Sequence, residues 1–165
     1  MGTNFPTGLS TVKSYDGSST YNSSYNVPKS KFTHRTAVIR CDAQTSETTT
    51  TFTFPSKAIV KDVYLDVITV DATETVDVGT AGTSDDPNGF LAGVSLATAG
   101  IVKGSLADGA ITLGALLYEE TGTGADVAYA KTDCVSASSD PVTYTCSAGS
   151  DTAVFDIIIE YVEVA

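Results

Sequence analysis

From about residue 35 onward, apolar and polar positions alternate in short runs, the period of a half-buried β-strand and not the 3.6-residue period of a helix. The run from Thr152 to Val164 is the clearest. Ala153, Phe155, Ile157, Ile159 and Tyr161 fall on one face and Asp156 and Glu160 on the other, which predicts a central strand. Lys57 to Asp71 is the longest, with Val63, Leu65 and Val67 alternating with Tyr64, Asp66 and Ile68. Ser46 to Phe54 holds Thr48 to Thr51 ahead of Phe52 and Phe54 and stops at Pro55, the composition of an exposed or edge strand with one wet face. Shorter strands are predicted at Ala37 to Cys41, Thr75 to Gly79, Gly100 to Leu106, Ala110 to Glu119, Asp126 to Thr132 and Pro141 to Cys146.

Turn-forming clusters separate these runs: residues 79 to 89, Ala107-Asp108-Gly109, and residues 121 to 125. Asn88-Gly89 and Asp108-Gly109 supply the positive φ that tight hairpins demand. Phe90 to Ala97 is expected to form the one helix, a turn or two long. Eight or nine strands without intervening helices define an all-β protein. The expected architecture is a two-sheet antiparallel sandwich, with a jelly roll the leading topology.

Residues 1 to 34 break the pattern. The stretch Ser18-Ser19-Thr20-Tyr21-Asn22-Ser23-Ser24-Tyr25-Asn26 is polar and aperiodic, so it lacks the means to bury a core of its own. Its aromatic residues nonetheless suit contact with another surface, because rigid rings give contact area at small entropic cost. The expected organisation is an extended N-terminal arm over 1–34 and a β-sandwich domain over 35–165. Phe5, Tyr15, Tyr21, Tyr25, Lys29, Lys31, Phe32 and Arg35 are the candidate partner-binding residues.

Composition sharpens this division. The 165 residues are rich in Thr, Ser, Val, Ala, Gly and Asp and hold no Trp, and their length suits one core and not two. Lys13, Lys29, Lys31, Arg35 and Arg40 stand against Asp16 alone in the first forty positions, a net +4, whereas positions 41 to 165 carry four basic residues against nineteen acids, a net −15. A basic arm on an acidic body points to docking of the arm on something negative, including a neighbouring copy, and argues against nucleic-acid binding by the body. No run approaches the roughly 20 apolar residues of a membrane-spanning helix. Met1 to Pro6 shows no secretory signal, so synthesis in the cytoplasm and no membrane partner are expected.

Candidate chemistry is sparse. His34, the one histidine, has no nucleophile-elbow context and reads as a solvated side chain. Asp85-Asp86 and Glu119-Glu120 read as solvated charges, since sequence neighbours on a strand point to opposite sides and glycoside cleavage needs two carboxyls across a cleft. The loop Asp85 to Gly89 lacks the spaced ligands of a calcium loop. Gly122-Thr123-Gly124 opens like a nucleotide loop, but Val127 stands where the third glycine belongs and no helix is expected after it. Cys41, Cys134 and Cys146 show no zinc spacing and are expected to be free, buried thiols. No catalytic residue, metal or cofactor is expected, and the chain reads as a non-enzymatic binding protein.

Val76-Asp77-Val78-Gly79-Thr80, followed by Asp85-Asp86-Pro87-Asn88-Gly89-Phe90 and preceded by the strand Val63-Tyr64-Leu65-Asp66-Val67, resembles the small head decoration or cement proteins of tailed bacteriophages, which have jelly-roll bodies. Elsewhere the likeness is one of organisation, an arm followed by a sandwich. The resemblance implies a virion protein on the capsid exterior, commonly a homotrimer, that clamps neighbouring major capsid protein subunits; it carries no catalytic residue over to this chain. The alternative from another class is a carbohydrate- or receptor-binding module of a fibre or lectin-like protein, for which the eight tyrosines would serve as stacking platforms.

Overall fold

The computed structural model describes residues 32–55, 58–81, 86–107, 111–119, 140–147 and 152–164, together with three two-residue strands. Among the described residues twelve strands occur, in the order β1 (Val12–Lys13), β2 (Ser19–Thr20), β3 (Phe32–Asp42), β4 (Thr48–Thr53), β5 (Ala58–Thr69), β6 (Thr75–Thr80), β7 (Asp86–Ser95), β8 (Gly100–Lys103), β9 (Tyr118–Glu119), β10 (Val127–Ala128), β11 (Pro141–Cys146) and β12 (Val154–Val164). Eight of them form two four-stranded antiparallel sheets, ordered β3-β12-β5-β8 and β4-β11-β6-β7. The protein is an all-β sandwich, and the described residues include no helix.

Successive strands switch sheets: β3 to β4, β4 to β5, β5 to β6, β7 to β8 and β11 to β12 each cross from one sheet to the other, while β6 and β7 are neighbours. The short pairs β1-β2 and β9-β10 stand apart from both sheets in their hydrogen bonding.

The core lies between the sheets because each inner strand puts its apolar set on one side. On β12, Phe155, Ile157 and Ile159 are fully buried, as the alternation predicts, and the strand is central, between β3 and β5. Facing them from the other sheet are Val76 and Val78 of β6 and Val142 and Tyr144 of β11. Aromatic edges join the layers: Tyr144 meets Phe155 at 5.8 Å between centroids, and Phe54 meets Tyr161 at 6.0 Å, both T-shaped. That geometry sets a positive ring edge against a negative ring face. The Tyr144 hydroxyl donates to the Asp42 carbonyl at 2.9 Å, so the one polar atom of this side chain is satisfied.

Two irregularities explain where the pattern of two breaks. Along β12 the partners on β5 step from Asp62, opposite Glu160, to Val60, opposite Tyr161, which leaves Lys61 as an extra residue. This bulge allows Val60 and Val63, three apart, to be buried on the same side. At Gly79 a Cβ would run into the carbonyl oxygen of Asp86, so the close approach of β6 and the start of β7 needs glycine there.

Several expectations are corrected. Phe90 to Ala97 is not a helix: Asp86–Ser95 is a strand paired with β6, with Phe90, Leu91 and Val94 buried. Short apolar runs fit either element by periodicity, and here cross-strand bonding and Gly93, at φ +66°, decide for an irregular strand. Asp86 to Gly89 belongs to the same strand and not to a turn. The first long strand begins at Phe32 and not Ala37, because β12 extends to Val164 and pairs with it throughout. Of the predicted strand Ala110 to Glu119, the described residues form a strand only at Tyr118–Glu119; before it, Leu113 makes an isolated bridge to Leu91. The threonine-rich β4 is an edge strand, as predicted. Of the predicted strand Asp126 to Thr132, Val127–Ala128 is a strand and the remainder lies outside the described residues.

Candidate interaction surfaces

Of the candidate partner-binding residues, Phe5, Tyr15, Tyr21, Tyr25, Lys29 and Lys31 lie outside the described residues. Phe32 opens β3 opposite Val164. Arg35 is on the same edge strand, and its exposed guanidinium Nε donates to Glu163 Oε2 of β12 at 3.3 Å. An exposed pair of this kind is weak and readily exchanged for another carboxylate. His34 is exposed on β3, consistent with a solvated side chain.

The outer face of the β3-β12-β5-β8 sheet is the surface that sequence reasoning passed over. Register places side chains there in rows across the strands. One row is Val38, Ile158, Tyr64 and Lys103; the next is Arg40, Asp156, Asp66 and Ile101; a third contains Thr36, Glu160 and Asp62. Val38 and Ile101 are 61% and 59% exposed, so apolar groups face water at both edges of the sheet. Polar contacts tie the rows together. Arg40 bonds Asp156 through Nε and, at 3.1 Å, through Nη2; Lys103 Nζ lies 2.5 Å from Asp62 Oδ2 and 4.8 Å from the centre of the Tyr64 ring; and the Tyr64 hydroxyl donates to Glu160 Oε1 at 3.1 Å. The Asp156 carboxylate hydrogen bond holds the Arg40 guanidinium above its ordinary pKa, and Asp62 does the same for the Lys103 ammonium. Tyr64 is also raised, chiefly by desolvation and then by its bond to Glu160.

The signal for this surface was available in Ile157-Ile158-Ile159, where the middle residue must face away from the core. Val38 on β3 and Ile68 on β5 repeat the same hint.

Two buried acids were also missed. Asp71, in the β5–β6 turn, accepts from the Thr73 amide and hydroxyl through Oδ1 and from the Thr152 hydroxyl through Oδ2, tying that turn to the residues just before β12. Glu74 is fully buried in the same turn, and its backbone carbonyl accepts from Leu96 at 2.9 Å. The pairs singled out instead are partly visible: Asp86 starts β7 and Glu119 ends β9, while Asp85, Glu120 and the segment Gly122 to Gly124 lie outside the described residues.

Cys41 and Cys146 are buried thiols, as expected; Cys134 lies outside the described residues. Burial, with the neighbouring Cys146 next in effect, pushes the Cys41 thiol up to about 12, which keeps it protonated and unreactive at neutral pH. Among the described residues no group of three or more His, Cys, Asp or Glu side chains gathers in a way that suits a metal ion. Comparison with protein-family models, with curated proteins and with solved structures finds no match for this chain.

Proposed function

We propose that this protein is a structural component of a phage virion that binds the outside of the capsid and stabilises the shell by clamping neighbouring major capsid protein subunits. The observation that carries the reading is the strand order. Taking the eight strands of the two sheets in chain order as B to I, the sheets are B-I-D-G and C-H-E-F, an order that supports the double Greek key of a jelly roll. Viral capsid proteins and lectins use this architecture. The choice between them rests on the charge division of the chain and on the sequence resemblance of residues 63 to 90 to decoration proteins.

Such a protein acts by differential binding: it stabilises the expanded shell to the extent that it binds that state better than the precursor. A basic N-terminal arm followed by a sandwich suits the task, since an extended segment covers much surface per residue and bridges to an adjacent copy or capsid subunit. A homotrimer is the assembly we infer.

The test is to mix the purified protein with undecorated expanded shells and image them, alongside the protein lacking residues 1–30. That deletion stops short of β3, so the sandwich is expected to stay folded while attachment weakens. Full-length protein that leaves shells bare, or that binds a glycan array as an isolated protein, would favour the carbohydrate- or receptor-binding reading. Attachment is also expected to weaken between low salt and 0.5 M NaCl, because charge pairs across the contact are screened within about 10 Å at 0.1 M.

A further inference from the structure

We propose that the outer face of the β3-β12-β5-β8 sheet is the docking surface for the lysine-bearing N-terminal segment of a second copy of this chain. The inference rests on the assembly reading above and names the face and the occupant.

The face carries five carboxylates, Asp42, Asp62, Asp66, Asp156 and Glu160, against Arg40, Lys103 and Lys61, the last exposed at the bulge of β5. Arg40 is engaged by Asp156 and Lys103 by Asp62. Among the described residues Asp66 and Glu160 form no ion pair, and Glu160 accepts from a neutral donor, the Tyr64 hydroxyl. Beside them sit the exposed apolar side chains of Val38 and Ile101. A partner for this face must therefore bring positive charge and apolar contact together.

The chain supplies such a segment. In an extended strand alternate residues share a side, so Tyr25, Val27, Lys29 and Lys31 would present two apolar groups followed by two cations in one line. A second copy is the source because Lys29 and Lys31 lie within three residues of Phe32, a reach of about 10 Å of chain, whereas Asp66 sits in the row of Arg40, eight residues along β3 from Phe32 or about 26 Å away. Head-to-tail docking of this kind, segment of one copy on the face of the next, forms a closed ring such as a trimer when the rotation between copies closes.

The experiment is sedimentation velocity on the full-length protein over a range of concentrations at 50 mM NaCl, with charge-swap variants. Wild type is expected to self-associate. Lys29→Glu/Lys31→Glu and, separately, Asp66→Lys/Glu160→Lys are each expected to weaken association at least tenfold, and the four changes together to restore most of it. The N-terminal pair precedes β3 in the chain, and urea unfolding of both variants shows whether each fold is intact. A wild type that stays monomeric at every concentration, or face and segment variants that associate like wild type, would overturn the proposal. So would variants that lose binding to capsid shells while self-association is unchanged, since the shell would then be the occupant. Charge-swap rescue in a protein that leaves shells bare upholds the docking face and sinks only the capsid reading.

Discussion

Ile157 and Ile158 are chemically identical neighbours on β12 that the fold sends to opposite environments, so truncating each in turn tests the register of the whole sandwich. Ile157 is fully buried between the sheets, while Ile158 is half-buried on the outer face between Val38 and Tyr64. Replacing Ile157 with Ala removes about 2.4 kcal/mol of transfer free energy at ~0.8 kcal/mol per methylene. The cavity left behind raises the loss to about 3–4 kcal/mol, within the range for buried aliphatic truncations. At Ile158 roughly half the transfer term applies and no closed cavity forms, giving about 1 kcal/mol. Urea unfolding followed by tyrosine fluorescence, in reducing buffer, reads the difference: with a slope of about 1–3 kcal/mol per molar urea, Ile157→Ala should move the midpoint down by about 1–4 M, and Ile158→Ala by about a third of that. A one-residue slip of β12 would exchange the two environments. Equal losses, or a larger one at Ile158, would therefore refute the strand's placement.

Two further outcomes follow from the core and its backbone. Cys41 and Tyr144 are both raised by burial to about 12, from ordinary values near 9 and 10, so the folded state holds protons that the unfolded chain gives up first. Their contribution to stability is fully present below about pH 9 and is lost as pH rises from there through 12. Urea midpoints measured from pH 8 to 11 should fall, and the fall should be shallower in Cys41→Ala/Tyr144→Phe; parallel profiles would show that other groups govern the alkaline limit. Gly79→Ala forces a methyl against the Asp86 carbonyl and should cost about 1–3 kcal/mol as overpacking. Gly93→Ala meets open space and should cost only the about 1–2 kcal/mol of a left-handed backbone. Thermal unfolding orders the two, and an inert Gly79→Ala would mean that β6 and the start of β7 do not meet as described.

What was legible in the sequence were the strands whose environment is one-sided. β12, β11 and β6 alternate apolar and polar residues in sequence and their predicted bounds match to within two residues, although the polar residues Thr143 of β11 and Thr80 of β6 are buried. β7 was misread because Phe90-Leu91-Ala92-Gly93-Val94 is apolar without a period, and only its pairing with β6 makes it a strand. The start of β3 was hidden for a related reason: Phe32 to Thr36 show no alternation, and what orders them is the length of β12 beside them. Asp71 only closed the predicted strand Lys57 to Asp71 and Glu74 was not singled out, since nothing local announces that a carboxylate will be enclosed. The outer face was half-legible, through Ile158 and Val38, but its charge pairs span up to 116 positions and emerge only from the register.

The placement of β12 has a consequence for how the protein is made. Its two neighbours, β3 and β5, are both complete long before residue 154 is synthesised, yet neither touches the other without it. A nascent chain stopped short of that point leaves two bare strand edges and half a core open to solvent, the state most prone to sticking to its own kind. Folding waits on ring closures of more than a hundred residues, which places it in the slow, millisecond-to-second class, and late chaperone protection or rapid completion of translation becomes part of obtaining the native sandwich.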